Sequence, residues 1–237
     1  MSRHERRSLP SFLLFCNGVI AGVGGGGNAT LFASLATLLA TLANDVKILT
    51  TAQGNAEGGT KNFRFGTRRS HSVLNEYLRI AKGVNRPRDG FFLRAESFFN
   101  VATEIENLDA EPSFGPPIIN SYGGRSLHEQ SHGESFLALM LERFGGQGVY
   151  ILDEPEAALS PQRQLAVLSR MHDLVLDHSQ FIVATHSPIL MAYPDAWIYR
   201  CDAEGLSQVA YQDTDHFRVT RDFLASPERM LRVLLKR

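Results

Sequence analysis

Cysteine is scarce in this 237-residue chain, and Cys16 and Cys201 stand far apart with neither a CxxC pair nor Cys/His spacing around them. That fits reduced thiols in a cytosolic protein better than a disulfide scaffold or a zinc site. An excess of charge is also lacking: 24 Lys and Arg against 25 Asp and Glu leave a net charge of −1. The two signs are well mixed, so nothing proposes a nucleic-acid surface or an acidic arm. Repeats, heptads and low-complexity tracts are missing. Charged residues are absent from Ser8 to Asn44, just after Arg3, Arg6 and Arg7, which raises the alternative of a signal or membrane segment. Gly24, Gly25, Gly26, Gly27 and Asn28 interrupt that stretch, and each apolar piece is shorter than the roughly 20 residues of a spanning helix. Membrane insertion is therefore not the expectation.

What is present is enough apolar sequence, 43% of residues, for one substantial core, and a single domain over residues 1–237 is expected. Phe12 to Ala21 reads as a buried strand, followed by a glycine-rich turn and by Ala29 to Ala43, apolar on every face, as a buried helix. Strands are expected around Asn62 to Phe65 and Phe91 to Arg94, a helix from Glu96 to Asp109, and a loop from Glu111 to Arg125. Beyond that the rhythm alternates: helix Glu134 to Phe144, strand Val149 to Asp153, helix Pro161 to Leu176, strand Phe181 to Ala184, then strands Trp197 to Cys201 and Gln208 to Tyr211. Continuous apolar runs such as Val149 to Leu152 and Phe181 to Ala184 suit strands buried on both faces of a parallel sheet covered by helices. In helix Pro161 to Leu176, Ser160 is the expected N-cap, and Leu165, Leu168, Met171, Leu174 and Val175 form the expected apolar stripe.

Three short motifs carry chemistry. In VYILDEPEAALSP, Val149 to Pro161, an apolar strand delivers Asp153 and Glu154 to its C-terminal end, where open α/β sheets bind ligands. A carboxylate there can hold Mg²⁺ while its neighbour accepts a proton from an attacking water. In FIVATHSPIL the next strand ends at Thr185, His186 and Ser187, and parallel pairing of the two strands brings His186 to Glu154. SHGES, Ser131 to Ser135, runs into a helix whose N-terminal amides, with the Ser131 and Ser135 hydroxyls, suit an anion. Each motif alone has a plainer reading, as a solvated turn, a capping histidine or an ordinary helix cap; their order and spacing favour the joint one.

On these residues the chain resembles the ABC ATPase superfamily. SHGES is similar to its signature motif, ILDEP to its Walker B strand and catalytic glutamate, AALSP to its D-loop, and THS to its switch-histidine loop. Phrases such as NAEGGTKNFRF, DGFFLRAESFFN and SYGGRSLHEQSHGESF resemble stand-alone AAA-family ATPases with ABC-like heads, a likeness running from about Asn55 to Leu235. The resemblance implies a P-loop NTPase three-layer sandwich with a mostly parallel central sheet. Its parts are a glycine-loop strand and helix over 12–45, a signature helix over 131–144 and a Walker B to switch-histidine core over 149–187. It further implies ATP and Mg²⁺ as ligands, with Asp153 and, at the place of the Q-loop, Glu96 near the metal. Glu154 is then the general base and His186 the γ-phosphate sensor. Ser131, Gly133 and Glu134 would close over the nucleotide of a partner protomer in a head-to-tail homodimer.

The glycine loop departs from that pattern. GVGGGGNAT, with Gly22, Gly24, Gly25, Gly27, Asn28, Ala29 and Thr30, matches G-x-x-x-x-G-K-[ST] in its glycines and its place between strand and helix. Asn28 stands where the phosphate-binding lysine is expected, and Ala29 where the Mg²⁺-binding hydroxyl is expected. A charge-assisted hydrogen bond contributes about 1.5 to 3 kcal/mol, so loss of the lysine alone lowers affinity by roughly 10- to 100-fold. Lys47, Lys61 or Arg64 are alternative cations. Two functions follow as expectations: ATP hydrolysis to ADP and phosphate in a nucleotide-dependent dimer, or a non-hydrolysing nucleotide-gated scaffold.

Overall fold

Six strands, each cut from an apolar run or a β-rich pair of runs, lie side by side in the computed structural model, which describes residues 12–17, 87–94, 98–112, 114–202 and 205–236. In chain order the elements are β1 (Phe12–Asn17), β2 (Asp89–Arg94), α1 (Phe98–Ala110), α2 (His132–Ala138), β3 (Gly148–Asp153), α3 (Pro161–Leu176), β4 (Gln180–Ala184), α4 (Pro188–Met191), β5 (Trp197–Asp202), β6 (Gly205–Val209), α5 (Asp215–Ala225) and α6 (Pro227–Leu234). The sheet order is β2-β3-β4-β1-β5-β6, and only β6 runs antiparallel to its neighbour. The fold is therefore α/β with a mostly parallel sheet, as the alternating rhythm predicts.

Successive crossovers from β2 to β3, β4 and β5 advance in one direction across the sheet. Their right-handedness places α1, α2, α3 and α4 on one face. The rows that meet this layer are fixed by register: Phe91, Tyr150 and Phe181 align across three strands, and Leu93, Leu152 and Val183 align two residues on. All six are buried in the same core cluster. Phe144 stacks on Tyr150 at 4.2 Å between ring centres, and Phe91 and Phe181 flank that pair at 5.4 and 5.2 Å. Ile151 and Ile182 point the other way and are buried as well, so the central strands are shielded on both faces. None of the described helices is long and apolar enough to cross a membrane.

Several boundaries differ from the sequence expectation. The helix expected over Glu134 to Phe144 begins earlier, at His132, and changes after Ala138 to a π turn over Leu139–Arg143. At the end of that turn the Arg170 guanidinium of α3 donates to the carbonyls of Met140, Leu141 and Phe144 at 3.1, 3.4 and 2.9 Å and satisfies groups the helix leaves unpaired. Helix Pro161–Leu176 is as expected, capped by Ser160; of its expected stripe Met171 and Leu174 are buried and Leu168 and Val175 pack against the core, but Leu165 is exposed and Val167 is buried instead. The last strand ends at Val209 rather than running from Gln208 to Tyr211, because Tyr211 opens a 3₁₀ turn and donates its hydroxyl to the Pro188 carbonyl at 2.8 Å. Within the expected loop Glu111 to Arg125 lies a 3₁₀ turn, Ile118–Tyr122, whose first two amides donate to Asp109. The Phe12 strand spans Phe12–Asn17. The helix Ala29 to Ala43 and the strand Asn62 to Phe65 lie outside the described residues.

One polar cluster pins the sheet edge to the helix layer. Arg143 grips Asp89 with two hydrogen bonds, 2.9 and 3.2 Å, and the Tyr150 hydroxyl donates to the same carboxylate at 3.0 Å. Burial acts to raise the Asp89 pKa, but the Arg143 hydrogen bonds and charge, with the Gly90 amide and Tyr150, outweigh it and hold the carboxyl below its ordinary value. A depressed folded-state pKa stabilises the fold above the unfolded value and loses that contribution as pH falls through the folded one. Asp89→Asn is expected to cost about 1 to 3 kcal/mol at neutral pH and to flatten the acid limb of the stability curve below about pH 4. Urea unfolding of both proteins between pH 3 and 7 measures this.

Candidate functional site

The apolar run of β3 stops at Asp153, whose side chain is buried at the C-terminal edge of the sheet. Glu154 then adopts a left-handed backbone, φ 49° and ψ 51°, and the chain turns out of the sheet into the 3₁₀ turn Pro155–Ala158. A non-glycine residue in that region is uncommon and costs energy, so its surroundings must hold it there. They do so through the neighbouring strand: the Glu154 amide donates to the Ala184 carbonyl at 2.9 Å, prolonging the β3–β4 ladder by one step.

That step aligns the two strand ends. His186, two residues beyond β4, places Nε2 3.5 Å from Glu154 Oε1, and both side chains remain nearly half exposed to solvent. The loop carrying His186 is built around a residue the sequence reading did not single out. Glu156 accepts from the Thr185 hydroxyl at 2.7 Å and from the His186 amide at 2.5 Å. Thr185 in turn accepts from the Ser187 amide at 3.0 Å, and the Ser187 hydroxyl donates to Gln164 of α3 at 2.6 Å while capping α4. Charge-assisted bonds of this kind are about twice as strong as neutral ones, so the short DEPE phrase supplies both an exposed carboxylate and the clamp for the opposing loop. His216 of α5 completes the group, its Nε2 3.0 Å from Nδ1 of His186.

The SHGES turn forms a second centre. Ser131 caps α2 in a full capping box: its hydroxyl accepts from the Glu134 amide, and its own amide donates to the Glu134 carboxylate at 3.0 Å. Arg163, in the first turn of α3, reaches both, with Nη1 3.3 Å from the Ser131 hydroxyl and Nη2 3.4 Å from Glu134. Hydrogen bonds from the Ser131 hydroxyl and amide hold the Glu134 carboxyl below its usual range, with Arg163 adding to the effect. Gly133 lies where no side chain fits, because a Cβ there would stand 2.7 Å from the Ala158 carbonyl oxygen and 2.5 Å from Arg163 Nη1. The turn Pro155–Ala158, which begins beside Glu154, thus ends against the SHGES helix. Ser135 is buried and donates to the Leu127 carbonyl at 2.8 Å, so it serves the loop before the helix.

Of the sequence-derived site residues, Asp153, Glu154 and His186 come together at one sheet edge, while Ser131, Gly133 and Glu134 gather at the other end of the Pro155–Ala158 turn. Gly22, Gly24, Gly25, Gly27, Asn28, Ala29 and Thr30 lie outside the described residues, as does Glu96. Glu156, Gln164, Arg163 and His216 are additions of the structure. For Glu156 a signal existed in its place within DEPE, two residues past the strand-end acids.

Residues 118–192, which contain the SHGES turn, the strand-end carboxylates and the THS loop, match a family described as "AAA domain, putative AbiEii toxin, Type IV TA system". Among solved structures the chain is similar to an SMC head domain from Thermotoga maritima, with 19% identity over 50% of this chain and 53% of that one and a TM-score of 0.32. The match spans about half the length of that chain. No curated protein matches.

Removing the cap by Ser131→Ala is expected to cost about 1 kcal/mol. Gly133→Ala, which forces a methyl against a backbone oxygen, is expected to cost more, about 1 to 3 kcal/mol. Chemical denaturation of the two variants beside the parent chain checks both values.

Proposed function

We propose, from the premise that the chain carries a P-loop ATPase-like domain of the AAA/ABC kind, that it binds ATP with Mg²⁺ and hydrolyses it to ADP and phosphate, with two copies paired head to tail around the nucleotides. The observation that carries this reading is the approach of His186 to Glu154 beside buried Asp153, at the C-terminal ends of adjacent parallel strands. The donor set fits the metal: Mg²⁺ is a hard cation that takes few protein carboxylates and keeps waters, and Asp153 and Glu154 offer adjacent carboxylates of unlike exposure. Asp153 is the residue to hold it. Held there, Mg²⁺ would neutralise charge on the transferring phosphoryl oxygens.

Glu154, still half exposed, is the carboxylate that would accept the proton of an attacking water. His186 supplies an imidazole N–H donor across from that carboxylate, suited to orient the water and a γ-phosphate oxygen. The exposed start of the SHGES helix supports pairing of two copies. Gly133 packs against Ala158 and Arg163, and Ser131 and Glu134 are bonded to Arg163 of their own chain, but Ser131 and His132 at the start of α2 remain solvent-exposed, where a second protomer's nucleotide could approach.

A second reading, a nucleotide-gated scaffold without turnover, is favoured by one observation, the replacement of the P-loop lysine and hydroxyl by Asn28 and Ala29. Phosphate release separates the two. With ATP and Mg²⁺ the purified chain is expected to release phosphate, His186→Ala to lower kcat by about 10²- to 10⁴-fold, and Glu154→Gln to abolish turnover while holding an ATP-dependent dimer detectable by light scattering. ATP binding without release above the Glu154→Gln level supports the scaffold, and no ATP binding at all contradicts both.

A further inference from the structure

We propose that His216 is a positioning residue for His186, donating its Nε2–H to Nδ1 of His186 and thereby fixing His186 as the Nε2–H tautomer that faces Glu154. This deepens the ATPase reading and rests on it for its catalytic consequence.

His216 is held firmly where it meets His186. Thr214, buried at 1% exposure, caps α5 by accepting from the Phe217 amide, and its hydroxyl donates to the Tyr211 carbonyl at 2.8 Å. Tyr211 packs its ring 4.7 Å from Phe217 and bonds the Pro188 carbonyl, directly after the THS loop. The start of α5 is thereby tied to the loop that carries His186. The two imidazoles stand 5.2 Å apart between ring centres, with Nε2 of His216 3.0 Å from Nδ1 of His186.

A neutral imidazole has one N–H and one bare nitrogen, so this contact needs one ring to donate and the other to accept. Nδ1 of His216 is buried and has no hydrogen-bond partner among the described residues. If Nε2 of His216 were the acceptor, its proton would sit on Nδ1 as a buried, unpaired donor. The opposite assignment leaves only a bare acceptor there, which is less costly than an orphaned N–H. His216 therefore donates, Nδ1 of His186 accepts, and the His186 proton lies on Nε2, 3.5 Å from Glu154 Oε1. Burial and the adjacent His186 lower the His216 pKa against the pull of Asp215 and Glu156, in keeping with a neutral ring. Without His216, the Nδ1–H tautomer of His186 becomes accessible, and it turns a lone pair toward both the Glu154 carboxylate and an incoming phosphate oxygen.

The test uses the full chain labelled with ¹⁵N histidine, with the His186 signals identified by their loss in His186→Gln. Long-range ¹H–¹⁵N correlation is expected to show His186 as the Nε2–H tautomer in the parent chain and in His216→Gln, whose amide N–H₂ can still donate. In His216→Ala it is expected to become a mixture of tautomers, with kcat lowered roughly tenfold and KM changed less than about twofold. A His186 that is Nδ1–H in the parent chain, that keeps the Nε2–H form in His216→Ala, or that is not restored by His216→Gln overturns the proposal. The tautomer is read without turnover, so a parent chain with the stated tautomer and no phosphate release counts against the ATPase reading alone.

Discussion

Everything at this site depends on the parallel pairing of β3 with β4 and on its extension by one bond, from the Glu154 amide to the Ala184 carbonyl. Register in a sheet is all or nothing, since a slip of one residue turns every side chain to the opposite face. Here the register pairs Tyr150 with Phe181 and Leu152 with Val183 on the face that meets the helices. The strand tips therefore end level, and the residues just beyond them, Glu154 and His186, are forced into proximity. The left-handed turn at Glu154 and the Glu156 clamp then give the two loops fixed shapes.

The first turn of α3 connects the two halves of the candidate site. Arg163 reaches Ser131 and Glu134 of the SHGES helix, while its neighbour Gln164 accepts from Ser187 of the histidine loop. Two adjacent residues thus hold separate loops against one helix end, and Pro161 with the Ser160 cap fixes where that end lies. The Pro155–Ala158 turn runs between them, from Glu154 at one end to the Gly133 contact at the other. The two loops are thereby joined through a continuous set of packed, hydrogen-bonded atoms.

How much of this was legible in the sequence follows from the range of the interactions. Strands β3 and β4 were legible because unbroken apolar runs mark strands buried on both faces, and helix Pro161–Leu176 because its cap and proline are local signals. Asp153, Glu154 and His186 were legible as a group because parallel neighbours bring their tips together. The stripe of α3 was misjudged at Leu165, since helical spacing gives a face but not which edge of it meets the sheet; Val167 fills that place. The π turn after α2 was not legible, and Arg170, which bonds the carbonyls at its end, lies on another helix. Glu156 was not singled out, because the groups it binds, the Thr185 hydroxyl and the His186 amide, lie about thirty residues away on the opposing loop. His216 lies thirty residues from His186, and only the docking of α5 through Tyr211 brings them together.

The central claim is that Asp153, Glu154 and His186 face one phosphate-bearing pocket, and the most direct measurement replaces Mg²⁺ by paramagnetic Mn²⁺ in the presence of ATP and follows the histidine ring signals. The account predicts that Mn²⁺ with ATP broadens the His186 ring signals and that Asp153→Asn weakens this effect. His178 precedes β4 at the far edge of the sheet, more than about 13 Å away at strand rise, and should broaden much less. Broadening centred on His178, or a His186 indifferent to Mn²⁺ and ATP at saturating concentration, would contradict the account.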